Sequence, residues 1–181
     1  RVEQQLQRAT RLRAVVDLTS ERDRRAAAYL ERHYVCLVAQ VFLAEHVRMG
    51  RRCALKILNR HGPDHASLTG RFTREAANAS RINHPNVATI YDFGETPDRL
   101  IYLAMEYIDG ETLGALIRRS RALPHERARD ITLEICAALT AAHRQNVVHR
   151  DLKPDNILVG YDDEGRSFVK VVDFGIAKAL G

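Results

Sequence analysis

The sequence contains no tryptophan and only three cysteines in 181 residues. Cys36, Cys53 and Cys136 are widely separated and form no CxxC pair, which argues against both a disulfide framework and a zinc site and fits a reducing compartment. Proline and glycine are sparse, at 5 and 10 residues, while 45% of the chain is hydrophobic and 28% charged, so fibrous and low-complexity classes are excluded. No apolar run approaches the roughly 18 residues that suggest a membrane span, and the amino terminus lacks a signal-peptide core. The chain carries no membrane segment of its own, and its reading is cytoplasmic, with anchoring through segments outside it left open. Blocks of like charge are also missing. The 28 Lys and Arg are interleaved with 23 acids for a net charge of +5, so nucleic acid is not an expected partner, although a polyanionic ligand is compatible with the balance. A chain that opens on Arg1 and stops at Gly181 reads as a fragment of something longer.

Residues 1–28 are rich in Arg, Glu, Gln and Ala, with Val2, Leu6, Leu12 and Val16 loosely spaced like a helix face, and are expected to form a helical or partly ordered leader. From Tyr34 the texture changes. Short β-branched and aromatic runs at 35–44, 53–58, 87–93 and 100–107 predict strands of an antiparallel sheet, interrupted by one helix at 71–82 that ends before Pro85. After Gly110 the pattern turns helical, with a short helix at 112–120 and a long one at 124–145. In the long helix Ala128, Ile131, Ile135, Leu139 and Ala142 recur at helical spacing. Two short strands follow at 157–159 and 168–172, joined by the turn-rich Asp162-Asp163-Glu164-Gly165. The fold class is therefore α+β in two lobes, a sheet-rich lobe over 29–108 and the first part of a helical lobe over 109–181.

The chemistry is concentrated in His149-Arg150-Asp151-Leu152-Lys153-Pro154-Asp155-Asn156 and in Asp173-Phe174-Gly175. These octapeptide and triplet signatures, in order after Lys56 and Glu75, resemble the catalytic and magnesium loops of eukaryotic-type serine/threonine protein kinases, in particular bacterial ones. The resemblance runs from about residue 29 to the end, and Lys153-Pro154 after Asp151 is similar to the serine/threonine branch. It implies the two-lobe kinase fold, ATP and Mg²⁺ as cofactors, and a protein Ser or Thr hydroxyl as substrate. In that family Asp151 would accept or orient the hydroxyl proton, Lys153 would neutralise the moving phosphate, and Asn156 and Asp173 would supply oxygen ligands to Mg²⁺. Phosphoryl transfer has little covalent work for a protein to do. Positioning and counter-charge carry most of the rate, and each of these residue types supplies one or the other.

Lys56 lies within Ala54-Leu55-Lys56-Ile57, where a charge inside an apolar strand needs a partner. The resemblance names Glu75 as that partner and the α and β phosphates as the lysine's target. It further implies that backbone groups of Glu106 and Ile108 hold the adenine edge, that Met105 lines the back of the pocket, and that Val41, Ala54 and Leu158 sandwich the purine. As ordinary core residues Val41, Ala54 and Leu158 would look the same in sequence. His84 and His143 are read as packing or capping residues, since no partner is spaced to make them a metal site.

Two features depart from the family pattern. The glycine-rich loop that precedes Val41 has Tyr34, Cys36 and Ala39 where three glycines belong, and side chains there obstruct the close approach of backbone to phosphate. His33 stands where an apolar residue is usual. The chain also stops soon after Gly175, so Arg150 is expected to lack a phosphorylated activation segment to pair with, and the carboxyl-terminal half to expose apolar surface. The alternative from another class is a pseudokinase or inactive fragment acting as a regulatory or interaction module, favoured by the missing glycines and opposed by intact Lys56, Asp151, Asn156 and Asp173. A small-molecule kinase is disfavoured by Leu152-Lys153-Pro154.

Overall fold

The computed structural model describes residues 12–17, 38–46, 50–59, 65–97 and 99–174. The chain divides into two units, Arg1–Thr73 with Ile90–Tyr107, and Arg74–Thr89 with Ile108–Gly181. The first boundary falls inside helix α1, His65–Ala79.

The first unit holds an antiparallel sheet of five strands in the order β1-β2-β3-β5-β4. These are β1 Leu12–Asp17, β2 Val38–His46, β3 Arg51–Asn59, β4 Ile90–Glu95 and β5 Ile101–Glu106. Within the stretch read as a helical or partly ordered leader, Leu12–Asp17 is a strand and not a helix: it pairs with β2 with an irregularity between Ala14 and Val16. Its consecutive Val15 and Val16 are β-branched and favour an extended backbone beside an open sheet edge, which outweighs a loose helical spacing. The rest of the leader lies outside the described residues, as do Tyr34, Cys36 and His33.

Cross-strand register sorts the side chains into two faces. Ala44, Cys53, Leu55, Ile57, Leu100, Tyr102 and Ala104 form a buried cluster with Phe42 and Tyr91 packed on it. Each fully buried Leu or Ile there contributes roughly 1.5–3 kcal/mol over exposure. The alternate positions fall on the opposite face, where Val41 stands across from Lys56 and Ala54 from Met105. The β4–β5 turn is closed by buried Thr96, whose hydroxyl accepts from the Leu100 N–H at 3.1 Å.

The second unit is built on helices α2, Leu113–Ser120, and α3, His125–Arg144, with a three-stranded sheet β6-β7-β8. The strands are β6 Gly110–Thr112, β7 Ile157–Tyr161 and β8 Ser167–Val171. Leu113, Leu116, Ile131, Ile157, Val159 and Val169 make its core. Thr112 ends β6 and caps α2, its hydroxyl accepting from the Ala115 N–H at 3.1 Å. β6 was not anticipated, because three residues carry no period. It forms because Gly110 faces Gly160, and a Cβ at Gly110 would collide with the Val159 carbonyl. Val87, expected to open β4, instead bridges Val171 in parallel, and β4 begins at Ile90. The turn after β7 is held by Asp162, whose carboxylate accepts from the Arg166 guanidinium and from the Arg166 and Glu164 N–H groups, which keeps its carboxyl below the usual range. Leu133, Val148, Leu152 and Tyr161 are exposed in this unit.

Candidate active site

Behind helix α3 the chain reverses at Asn146, enters the buried Val147 and reaches His149, which is only 3% exposed. The His149 ring organises the loop from Arg150 to Asn156. Its Nδ1 accepts from the Asp151 N–H at 3.3 Å, so the ring proton sits on Nε2, which donates to the Val172 carbonyl at 2.9 Å. Its ring centroid lies 4.8 Å from that of Phe174, with the two planes tilted by 55°. One side chain thereby ties the loop at Asp151 to the strand end that carries Asp173.

The backbone is strained where chemistry is expected. Arg150 and Asp173 have φ of 64° and 62°, a left-handed conformation that non-glycine residues adopt rarely and keep only where surroundings enforce it. At Arg150 it turns successive side chains in different directions. Asp151 Oδ2 accepts from Lys153 Nζ at 2.8 Å and from Asn156 Nδ2 at 3.1 Å, while the same amide donates to the Asp151 carbonyl at 2.8 Å. The Lys153 ammonium, aided by the Asn156 amide, holds the Asp151 carboxyl below the ordinary carboxylate range, and Asp151 in turn raises Lys153. Both side chains remain open to solvent. Asn156 ends the single 3-10 turn Pro154–Asn156, is 8% exposed, and its carbonyl accepts from the Val172 N–H at 3.0 Å.

Of the residues singled out in sequence, Asp151, Lys153 and Asn156 come together directly. Asp173 joins them through Val172, and Gly175 lies outside the described residues. Val41, Ala54, Lys56 and Met105 share one face of the first unit's sheet, with Lys56 half-buried in mid-strand and opposite Leu103. Glu106 ends β5, Ile108 is buried just beyond it, and Leu158 is half-buried in β7 opposite Thr112 and Lys170. Glu75 lies on α1, where its Oε1 accepts from Arg150 Nη1 at 3.1 Å. Arg150 therefore has a carboxylate partner among the described residues.

Sequence reasoning missed the supports. His149 was read only as part of a motif, although its place immediately before a loop of charged residues is the signal for a buried, bonded ring. Asn86, next to the proline that ends the helix, was given no role of its own. Its amide donates to Glu134 Oε2 at 2.7 Å and to the Val169 carbonyl at 2.9 Å, and the same Glu134 oxygen accepts from the Val169 N–H at 2.8 Å. His84 does cap this turn, Nδ1 accepting from the Asn86 N–H at 3.1 Å.

Residues 37–181 match the protein kinase domain family. The chain belongs to that family. Among curated protein kinases it is 43% identical over 143 residues to the serine/threonine-protein kinase PrkC of Bacillus subtilis, covering 79% of this chain and 21% of that one. It is 38% identical over 146 residues to the serine/threonine-protein kinase PknB of Mycobacterium leprae, covering 79% and 23%. The crystal structure of a mutant PknI kinase domain from Mycobacterium tuberculosis matches with a TM-score of 0.69 and 26% identity over 93% of this chain and 61% of that one. The chain thus spans under a quarter of the length of these two protein kinases. Membership of the kinase family implies ATP-dependent phosphoryl transfer, typically with Mg²⁺. The donor chemistry fits that ion. Asn156 turns its Nδ2 toward Asp151, and its amide oxygen and the Asp173 carboxylate are of the hard oxygen type that Mg²⁺ takes.

Proposed function

We propose that this chain is the ATP-binding and phosphoryl-transfer part of a protein kinase that acts on serine and threonine hydroxyls of other proteins. The observation that carries this reading is the Asp151 carboxylate, kept ionised and oriented by Lys153 and Asn156 on an exposed loop. A hydroxyl brought to Asp151 finds an acceptor for its proton, and Lys153 next to it offsets the charge of the phosphoryl group in transit. Asn156 and Asp173 hold Mg²⁺ in this assignment, and the ion supplies charge neutralisation at the phosphate oxygens. Val41, Ala54, Met105 and Leu158 take the purine, the backbone of Glu106 and Ile108 its polar edge, and Lys56 the α and β phosphates. Among the described residues no helix is long and apolar enough to cross a membrane. A cytoplasmic catalytic unit, anchored or not by other segments, is the reading we adopt.

A second reading, an inactive kinase used as a binding module, is favoured by one observation. Ala39, at a position of the glycine-rich loop, stands in unbroken ladder register opposite Leu58 as a plain strand residue. Thermal-shift titration with ATP, with and without Mg²⁺, of the native sequence and Asp173→Asn separates the two. Mg²⁺-dependent stabilisation by ATP that is largely lost in Asp173→Asn supports the kinase reading. Equal shifts in both proteins, or none in either, favour the binding module.

A further inference from the structure

We propose that Ser167 is a phosphorylation site, and that Arg127 is built to receive its phosphate. Ser167 opens β8 immediately after the exposed turn at 163–166, and its hydroxyl accepts a hydrogen bond from Arg127 Nη1 in the first turns of α3. The other terminal nitrogen, Arg127 Nη2, is buried and has no hydrogen-bond partner among the described residues. A buried guanidinium N–H without a partner is unfavourable, and a single hydroxyl oxygen cannot satisfy both nitrogens of the fork. Phosphate oxygens on Ser167 can, because Arg binds phosphate through two parallel N–H···O bonds.

The proposal rests on the kinase reading for its donor, a nucleoside triphosphate used by a second copy of this protein. The step forms a bond from Ser167 Oγ to the γ-phosphorus and breaks the bond from that phosphorus to the β–γ bridging oxygen. The hydroxyl proton passes to Asp151 of the copy acting as enzyme, and the nucleoside diphosphate leaves. The consequence is local. β7 starts directly after Asn156 and β8 ends two residues before Asp173, so a phosphate clamp at Ser167 fastens to α3 the far end of the hairpin whose near end carries both proposed metal ligands.

The test has two arms. Phosphoserine encoded at position 167 of the intact protein is followed by phosphorus NMR against pH, alone and with Arg127→Gln. The phosphate pKa, ordinarily about 6, should be lower with Arg127 present, and the melting temperature should rise by roughly 2–4 °C over the unphosphorylated protein only when Arg127 is there. Identical phosphate titration in both backgrounds overturns the proposal, whatever the enzyme's activity. In the second arm, the native protein is incubated with ATP, Mg²⁺ and an Asp151→Asn copy as acceptor, and phosphopeptides are mapped. Phosphate on Ser167 of the acceptor supports the proposal, and phosphate at other residues but never at Ser167 overturns it. No phosphate anywhere counts against the kinase reading, while the encoded phosphoserine still decides the role of Arg127.

Discussion

Replacing His149 with phenylalanine separates the hydrogen bonds of the ring from its packing. The variant keeps an aromatic ring of similar size against Phe174 but removes the donor to the Val172 carbonyl, at 2.9 Å, and the acceptor for the Asp151 N–H, at 3.3 Å. Leaving a buried polar group without its partner costs about 1–3 kcal/mol, and the longer of the two bonds belongs at the low end. The sum, about 2–3 kcal/mol, is a large share of the 5–15 kcal/mol typical of a folded domain, yet the protein should still fold. Urea denaturation should show a lower midpoint with an unchanged slope, and the melting temperature should fall by roughly 4–12 °C. His149→Ala should cost more, since it also removes the ring and leaves a cavity. A loss below about 0.5 kcal/mol in His149→Phe, at equal slope, would refute the idea that this histidine holds the loop through its hydrogen bonds.

Three further outcomes are expected from the same geometry. Glu134→Leu strips the shared acceptor from Asn86 and Val169 and should destabilise by about 2–4 kcal/mol in denaturant titration, whereas Glu134→Gln, which keeps a carbonyl oxygen, should cost less than half as much. Asp151 has a depressed carboxyl pKa in the fold, so its contribution is present above the ordinary carboxylate value and lost as pH falls through the lowered one. Carbon NMR of that carboxyl should show the midpoint move upward in Lys153→Met, and an unmoved midpoint contradicts the assignment of Lys153 as the main cause. Burial pushes the Cys53 thiol to about 11, whereas Cys136 is exposed. Alkylation at pH 8 followed by peptide mapping should therefore label Cys136 in the native protein and Cys53 only after unfolding; equal labelling of the two would show that the β3 core is open.

Much of the fold was legible because period and punctuation are strong where burial is one-sided. The short apolar run at 53–58 and the helical spacing from Ile131 to Ala142 in the segment opened by Pro124 each marked an element close to its observed limits. Illegible were the short and shared pieces. β6 is three residues long, and Val87 is apolar in a strand-like run but spends its pairing on Val171, a residue 84 positions away, through the turn that Asn86 and Glu134 brace. The strand β1 was illegible for the opposite reason: Val15 and Val16 favour β structure, but only the open edge of β2 decides that they use it. At the site, the loop residues were found because their types and spacing are chemical requirements. His149, Glu134 and the pairing of Arg150 with Glu75 were not, since each depends on which distant group the fold brings within 3.1 Å or so of a side chain that has several choices.

Asp151 is the group proposed to receive the hydroxyl proton during phosphoryl transfer, and every other assignment at the site is arranged around it. The direct measurement is transfer of radiolabelled γ-phosphate from ATP to serine and threonine of a protein substrate by the intact protein and by its Asp151→Asn variant, with Mg²⁺ present. The native sequence should yield acid-stable phosphoserine or phosphothreonine, and the variant should be slower by about 10²–10⁴-fold while still binding ATP. Equal rates in the two proteins, or no transfer by a native protein that binds ATP and Mg²⁺, would contradict it.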